Sequence, residues 1–189
     1  MIDNIGESKK MEYKILCFHG FDQTAETMKK RMKNVVENFS GITFNFTNSV
    51  DEKMWYPYVN DIMTEKSMDM LKKNMENIYS SGEKYDGIIG FSQGAIFARI
   101  YISLYNPEIS FLISVCGQDE IYDKFNICNL TFPEKIRFYN LYGNRDKYVL
   151  PESTKYLTKH LKNVEEIEFD GGHVIPNNEV IKIIDKIYR

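Results

Sequence analysis

The sequence predicts an α/β fold, a mostly parallel sheet of about six strands with helices on both faces. Two observations carry this. Short apolar runs of strand length alternate along the chain with longer segments of helical periodicity. The 189 residues also suit one compact domain with one sizeable core, residues 1–11 forming a flexible extension.

Tyr13 to Phe18 reads as a buried strand ended by His19-Gly20. A helix follows over Thr24 to Phe39, where Met28, Met32, Val35, Val36 and Phe39 share one face. Ile42 to Thr47 alternates apolar and polar residues as a strand does, and Val50 to Asn60 is irregular and aromatic. Met68, Leu71, Met75 and Ile78 keep helical spacing within Asp61 to Tyr79, and Ser80-Ser81-Gly82 stops that helix. Tyr85 to Phe91 is a short strand, followed at once by a helix from Gln93 to Tyr105 that Asn106-Pro107 closes. Phe111 to Cys116 is a strand, Gly117 to Lys135 an aperiodic excursion, and Ile136 to Tyr142 a further strand. Pro151 to Leu161 is a helix with proline in its first turn, Val164 to Phe169 the last strand and Asn177 to Tyr188 the last helix. In such sheets function gathers at the carboxyl ends of the strands.

Composition narrows the function classes. Apolar residues make up 43% and charged residues 27%, the balance of a globular chain. A net charge of -3 offers no basic surface for nucleic acid. No apolar run approaches the roughly 20 residues of a membrane span, and the first residues lack a secretory signal core. Three cysteines, an odd and sparse set, suggest a reducing setting, the cytoplasm, rather than a disulfide framework. Oligomeric state stays open.

Gly90-Phe91-Ser92-Gln93-Gly94 matches G-x-S-x-G, the nucleophile elbow. Its context is a hydrophobic strand before and a helix of small and apolar residues after. The chemistry needs Ser92 on a sharp strand-to-helix turn, with its hydroxyl above the sheet and flanking glycines where backbones approach. The competing reading is a glycine-bounded turn with an ordinary serine. Serine needs a base, and the chain has three histidines. His160 reads as a cap near a helix C-terminus. His19 follows the first strand and could orient its loop. His173, in Gly171-Gly172-His173 after the last strand, falls on the same sheet edge as Ser92. Asp146, in Gly143-Asn144-Arg145-Asp146, is placed to orient that histidine. A turn aspartate is the alternative, with Asp119 the main rival acid and Asp170 the simpler strand-end residue. The order Ser92, Asp146, His173 is that of α/β-hydrolases. An oxyanion hole would draw on the N–H of Gln93 and, from the loop after the first strand, of Phe21.

With these pieces placed, the chain resembles the FSH family of serine hydrolases, a branch of the α/β-hydrolase superfamily neighbouring the phospholipase/carboxylesterase and acyl-thioesterase group. The likeness runs from Ile15-Leu16-Cys17-Phe18-His19-Gly20-Phe21 through Tyr85-Asp86-Gly87-Ile88-Ile89-Gly90-Phe91-Ser92-Gln93-Gly94-Ala95 to Gly171-Gly172-His173-Val174-Ile175-Pro176. It implies Ser92 as nucleophile, His173 as base, Asp146 as orienting acid, and Phe21 and Gln93 as oxyanion donors. It also implies cleavage of a small-molecule carboxylic ester with no metal or cofactor. A thioesterase and a non-catalytic ligand- or protein-binding module are the alternatives. Trp55, Tyr56 and Tyr58 could line an acyl pocket or lid, or pack an irregular loop against the sheet. Cys116 lacks an elbow and reads as a buried structural cysteine, and Cys17 as core.

Overall fold

The computed structural model describes residues 12–58, 64–118, 132–156, 158–159 and 161–189. The strands are β1 (Tyr13–Phe18), β2 (Ile42–Thr47), β3 (Gly87–Phe91), β4 (Phe111–Val115), β5 (Arg137–Gly143) and β6 (Val164–Phe169). The helices are α1 (Ala25–Arg31), α2 (Lys33–Asn38), α3 (Glu65–Ser80), α4 (Gln93–Tyr105), α5 (Pro151–Tyr156) and α6 (Asn177–Tyr188). The strands form one six-stranded sheet in the order β2-β1-β3-β4-β5-β6, and every neighbouring pair is parallel.

Burial on both faces explains why the central strands read as apolar runs, while the edge strands β2 and β6 are only partly buried. Leu16, Phe18, Ile88, Leu112 and Phe138 point into one core with Leu71 and Met75 of α3 and Ile96 and Ile100 of α4. Their strand neighbours Cys17, Ile89, Phe91, Ile113 and Leu141 point into a second core. There they meet Met28, Met32, Val35, Val180, Ile183 and Ile184 from α1, α2 and α6 and the turn between α1 and α2. The period-two alternation of strand side chains divides the two cores.

Two expected helices differ in extent. The segment expected as one helix over Thr24 to Phe39 breaks at Met32, whose φ of −96° and ψ of 13° end α1 and begin α2. Met28, Met32 and Val35 stay buried across the break. Periodicity thus reported a continuous apolar face but not the change of axis. The helix expected to reach Leu161 stops at Tyr156. Beyond it Thr158, Lys159 and Leu161 donate three residues back, to Lys155, Tyr156 and Thr158, which is the tighter 3₁₀ pattern. Helix α3 opens on a capping box between Thr64 and Ser67; the expected start at Asp61 lies outside the described residues. So do residues 1–11, most of the excursion after Gly117, His160 and Asp119.

The order has one consequence for function. The chain leaves β1 for β2 on one side and then returns to place β3 on the other. Such a reversal opens a crevice between the carboxyl ends of β1 and β3. Among the described residues no helix is long and apolar enough to cross a membrane.

Candidate active site

Ser92 sits between β3 and α4 at that crevice, with φ 53° and ψ −119°. A non-glycine residue in this region costs of order 1–3 kcal/mol and persists only where its surroundings over-determine it. Here they do. The Ser92 N–H donates to Val115 O of β4 at 2.8 Å, and Ser92 O accepts from Ala95 N at 2.9 Å. The two glycines of the motif have separate reasons. A Cβ on Gly90 would meet Gly94 O at 2.5 Å and Ala95 Cα at 2.6 Å, so Gly90 lets the helix fold back on its own strand. A Cβ on Gly94 would meet Phe18 O at 2.3 Å and His19 O at 2.4 Å, so Gly94 seats the helix against the end of β1.

His173 and Asp146 come from the loops after β6 and β5. Backbone bonds knit these loops together: Asn144 N–H donates to Phe169 O at 3.0 Å and Arg145 N–H to Gly171 O at 2.9 Å. The Asn144 side chain accepts from Gly171 N–H at 3.2 Å. Asp170, read from sequence as a strand-end residue, pairs with Arg145 across the same loops at 3.0 Å. The result is a continuous chain of side chains. His173 Nδ1 lies 2.7 Å from Asp146 Oδ2, and His173 Nε2 lies 3.0 Å from Ser92 Oγ. A carboxylate only accepts, so Nδ1 carries the proton and Nε2 is left as an acceptor for the Ser92 hydroxyl.

Asp146 is buried, at 4% exposure. Its Oδ1 accepts from Tyr148 N–H at 2.9 Å and Val149 N–H at 3.0 Å. Burial pushes the carboxyl pKa up, but the Val149 N–H, the His173 imidazole and the Tyr148 N–H more than offset this and hold it below the usual carboxylate value.

The β1 side of the crevice is held by a buried polar network. The Gln93 side chain accepts from Trp55 N–H at 2.9 Å and donates to Tyr56 O at 2.7 Å. The Trp55 indole N–H donates to His19 O at 2.8 Å, and Asn74 donates to Trp55 O at 2.8 Å. The indole ring stacks on His19 at 4.8 Å and on Phe97 at 4.3 Å between centroids. Trp55 and Tyr56 are wholly buried in the core, as the packing alternative for them requires. Tyr58 is half-buried and stacks on the exposed Phe21 at 5.5 Å. Neither the Phe21 nor the Gln93 backbone N–H is taken by an acceptor among the described residues, so both remain available as donors. His19 is buried, its Nδ1 lies 2.8 Å from Gly20 O, and burial lowers its pKa.

Sequence reasoning missed two features. The Gln93 side chain clamps a loop some forty residues before it in the chain, and nothing in a polar side chain at a helix start announces that partner. Cys116, also in a positive-φ conformation at 50°, lies against the site: its Sγ, an Asp146 oxygen and a His173 nitrogen all fall within 4.8 Å of one another. This is the one such donor cluster among the described residues that could hold a metal, yet both imidazole nitrogens are already engaged with Asp146 and Ser92. Burial, with the Asp146 charge second, pushes the thiol up to about 12, so it stays protonated near neutral pH. An open cavity of about 700 Å³ lies away from Ser92, at the β2 edge between α1 and α3, lined among others by Phe44, Phe46, Asn74 and Tyr85.

The sequence profile of the serine hydrolase (FSH1) family matches residues 46–183, well over half of the chain. The chain belongs to this family. The match contains Ser92, Asp146 and His173 and begins after Phe21. Among curated sequences, the family member is similar to an esterase of Caenorhabditis elegans, 24% identical over 197 residues, covering 90% of this chain and 89% of that one. It is also similar to an esterase of Drosophila pseudoobscura pseudoobscura, 22% identical, covering 86% of this chain but only 66% of that protein's length. Among solved structures, SOBER1 of Arabidopsis thaliana superposes with a TM-score of 0.70 at 20% identity, covering 94% of this chain and 98% of that one. A carboxylesterase of Bacillus cereus superposes at 0.68 and 14% identity, covering 94% and 88%. At these identities the structures establish the α/β-hydrolase fold.

Proposed function

We propose that this serine hydrolase cleaves carboxylic esters through an acyl-enzyme on Ser92. The observation that carries the reading is the unbroken Ser92–His173–Asp146 hydrogen-bond chain, at 3.0 and 2.7 Å, on a strained elbow. His173 Nε2 takes the Ser92 proton as Oγ attacks the ester carbonyl. Asp146 holds the imidazole in its tautomer and stabilises the imidazolium. The free N–H groups of Phe21 and Gln93 serve as donors to the oxyanion. The imidazolium then protonates the leaving alcohol, and water activated by His173 releases the acid. The esterase names of the C. elegans and Drosophila relatives support an ester as the bond cleaved. The residues described require no metal for these steps. The free thiols of Cys17 and Cys116 fit a cytoplasmic setting.

A fluorophosphonate probe with a chromogenic ester assay tests this. Wild type is labelled and turns over; Ser92→Ala is not labelled and loses kcat by about 10⁶-fold, the scale for a serine-protease nucleophile. Equal labelling of both proteins refutes the role of Ser92. Wild type that binds esters without turnover or labelling is instead a non-catalytic binding module. A matched thioester hydrolysed with the higher kcat/KM assigns the thioesterase alternative.

A further inference from the structure

Two large apolar side chains exposed to solvent, Tyr148 and Val174, lie beside His173, and a third, Leu150, stands two residues on from Tyr148. Tyr148 is 84% exposed, Leu150 57% and Val174 49%. Val174 directly follows His173, and the Tyr148 ring centroid lies 5.7 Å from the imidazole at an interplanar angle of 56°. These side chains project from a fixed backbone. Tyr148 N–H and Val149 N–H are both held by Asp146 Oδ1, and Val149 between them is buried. The loop is therefore pinned while its ring stands in water, an arrangement that leaves apolar area free for a ligand.

Proton transfer fixes which part of a substrate meets that area. In acylation the Ser92 Oγ–carbon bond forms, the ester C–O bond breaks, and the proton passes from Oγ through His173 Nε2 to the departing oxygen. That oxygen must come within about 2.6–3.2 Å of Nε2. The alcohol half of the ester therefore leaves beside the His173 imidazole, and the exposed ring that neighbours that imidazole is Tyr148.

We propose that Tyr148, with Leu150 and Val174 beside it, forms an open apolar shelf for the alcohol half of the ester. Tyr148 is then a specificity-determining residue favouring aromatic and bulky apolar leaving groups. The proposal rests on the serine-esterase reading. Among the described residues nothing covers the Tyr148 ring, 84% exposed, so the shelf would grip a flat ring by one face and leave room for a larger group beyond.

Butyrate esters of ethanol and of 2-naphthylmethanol test this, because both pass through the same butyryl-enzyme and differ only in acylation. The measured quantity is the ratio of kcat/KM, naphthylmethyl over ethyl. In Tyr148→Ala the ratio falls about tenfold, the scale of one lost ring contact, and in Tyr148→Phe it stays within about twofold of wild type. Leu150→Ala, which leaves the Asp146 contacts alone, moves the ratio in the same direction by a smaller factor. A ratio unchanged in Tyr148→Ala, in protein that still takes the fluorophosphonate at Ser92, overturns the shelf. Wild type that neither takes the probe nor cleaves either ester overturns the esterase reading instead.

Discussion

The two flanks of Ser92 are built on opposite terms. On the β1 flank, Trp55, Tyr56, Gln93 and Asn74 are buried, and their polar groups lock one another through the backbone of residues 55 and 56. On the β5 and β6 flank, Asp146 and Val149 are buried, but the side chains of Arg145, Tyr148, Leu150, Asp170 and Val174 stand in solvent. On the proposed mechanism the first flank carries the donors to the oxyanion and gains from rigidity, since preorganised dipoles need not move during reaction. The second receives and releases the leaving group and gains from being open. The difference teaches that one edge of the sheet can lock its groups in a buried network on one flank and leave the side chains of the other exposed.

The sharpest probe of this contrast is Asp146, the buried anchor of the open flank. Asp146→Asn keeps an oxygen for the Tyr148 and Val149 N–H groups, so folding is preserved, but it favours the wrong tautomer of His173. We expect kcat to fall by about 10⁴-fold with little change in Tm, read by ester turnover and thermal melting on the same sample. Near-full activity in that variant would move the orienting role to another acid.

A paired comparison of stability comes next. Gln93→Leu strands the buried Trp55 N–H and Tyr56 C=O, and we expect a loss of about 2–4 kcal/mol at the denaturant midpoint. Arg145→Ala breaks only the exposed ion pair with Asp170 and should cost less than about 1 kcal/mol. Equal losses in the two variants would erase the distinction between the flanks.

The smallest expected effect is on pH dependence. His19, buried under Trp55, has a lowered folded pKa, so its neutral form is favoured in the native state. Its contribution is complete above the unfolded value of about 6.5 and is lost as pH falls from there through the folded value. Asp146 is also lowered, and its contribution is lost only below about pH 4. The fall in Tm between about pH 7 and pH 5 should therefore be shallower in His19→Asn than in wild type. Parallel curves would assign that acid sensitivity elsewhere.

Much of the fold was legible because its signals are local. The central strands are apolar runs, the edge strand β2 alternates, and the helices of both layers carry apolar residues at three-four spacing. Ser92 was legible for the same reason, since strand, glycines and helix lie within a few residues of it. The break at Met32 escaped because the apolar face runs through it unchanged. For Trp55 and Tyr56 the sequence left pocket and core as open alternatives, because pocket and core aromatics share one composition. Only the partners supplied by Gln93, Asn74 and His19, all distant in sequence, separate the two cases.

By itself the sequence determined the alternation of strand and helix, the elbow at Ser92 and the order of serine, aspartate and histidine. These follow from side-chain periodicity and from backbone positions where only glycine fits. Tertiary structure decided the rest. It brought loops from β5 and β6 together so that residues 27 and 81 positions from His173 fall within hydrogen-bond distance of it. It also set one flank of the crevice in the core and left the other in water. Such outcomes depend on which groups remain unpaired once the sheet has closed, and no local pattern along the chain records that.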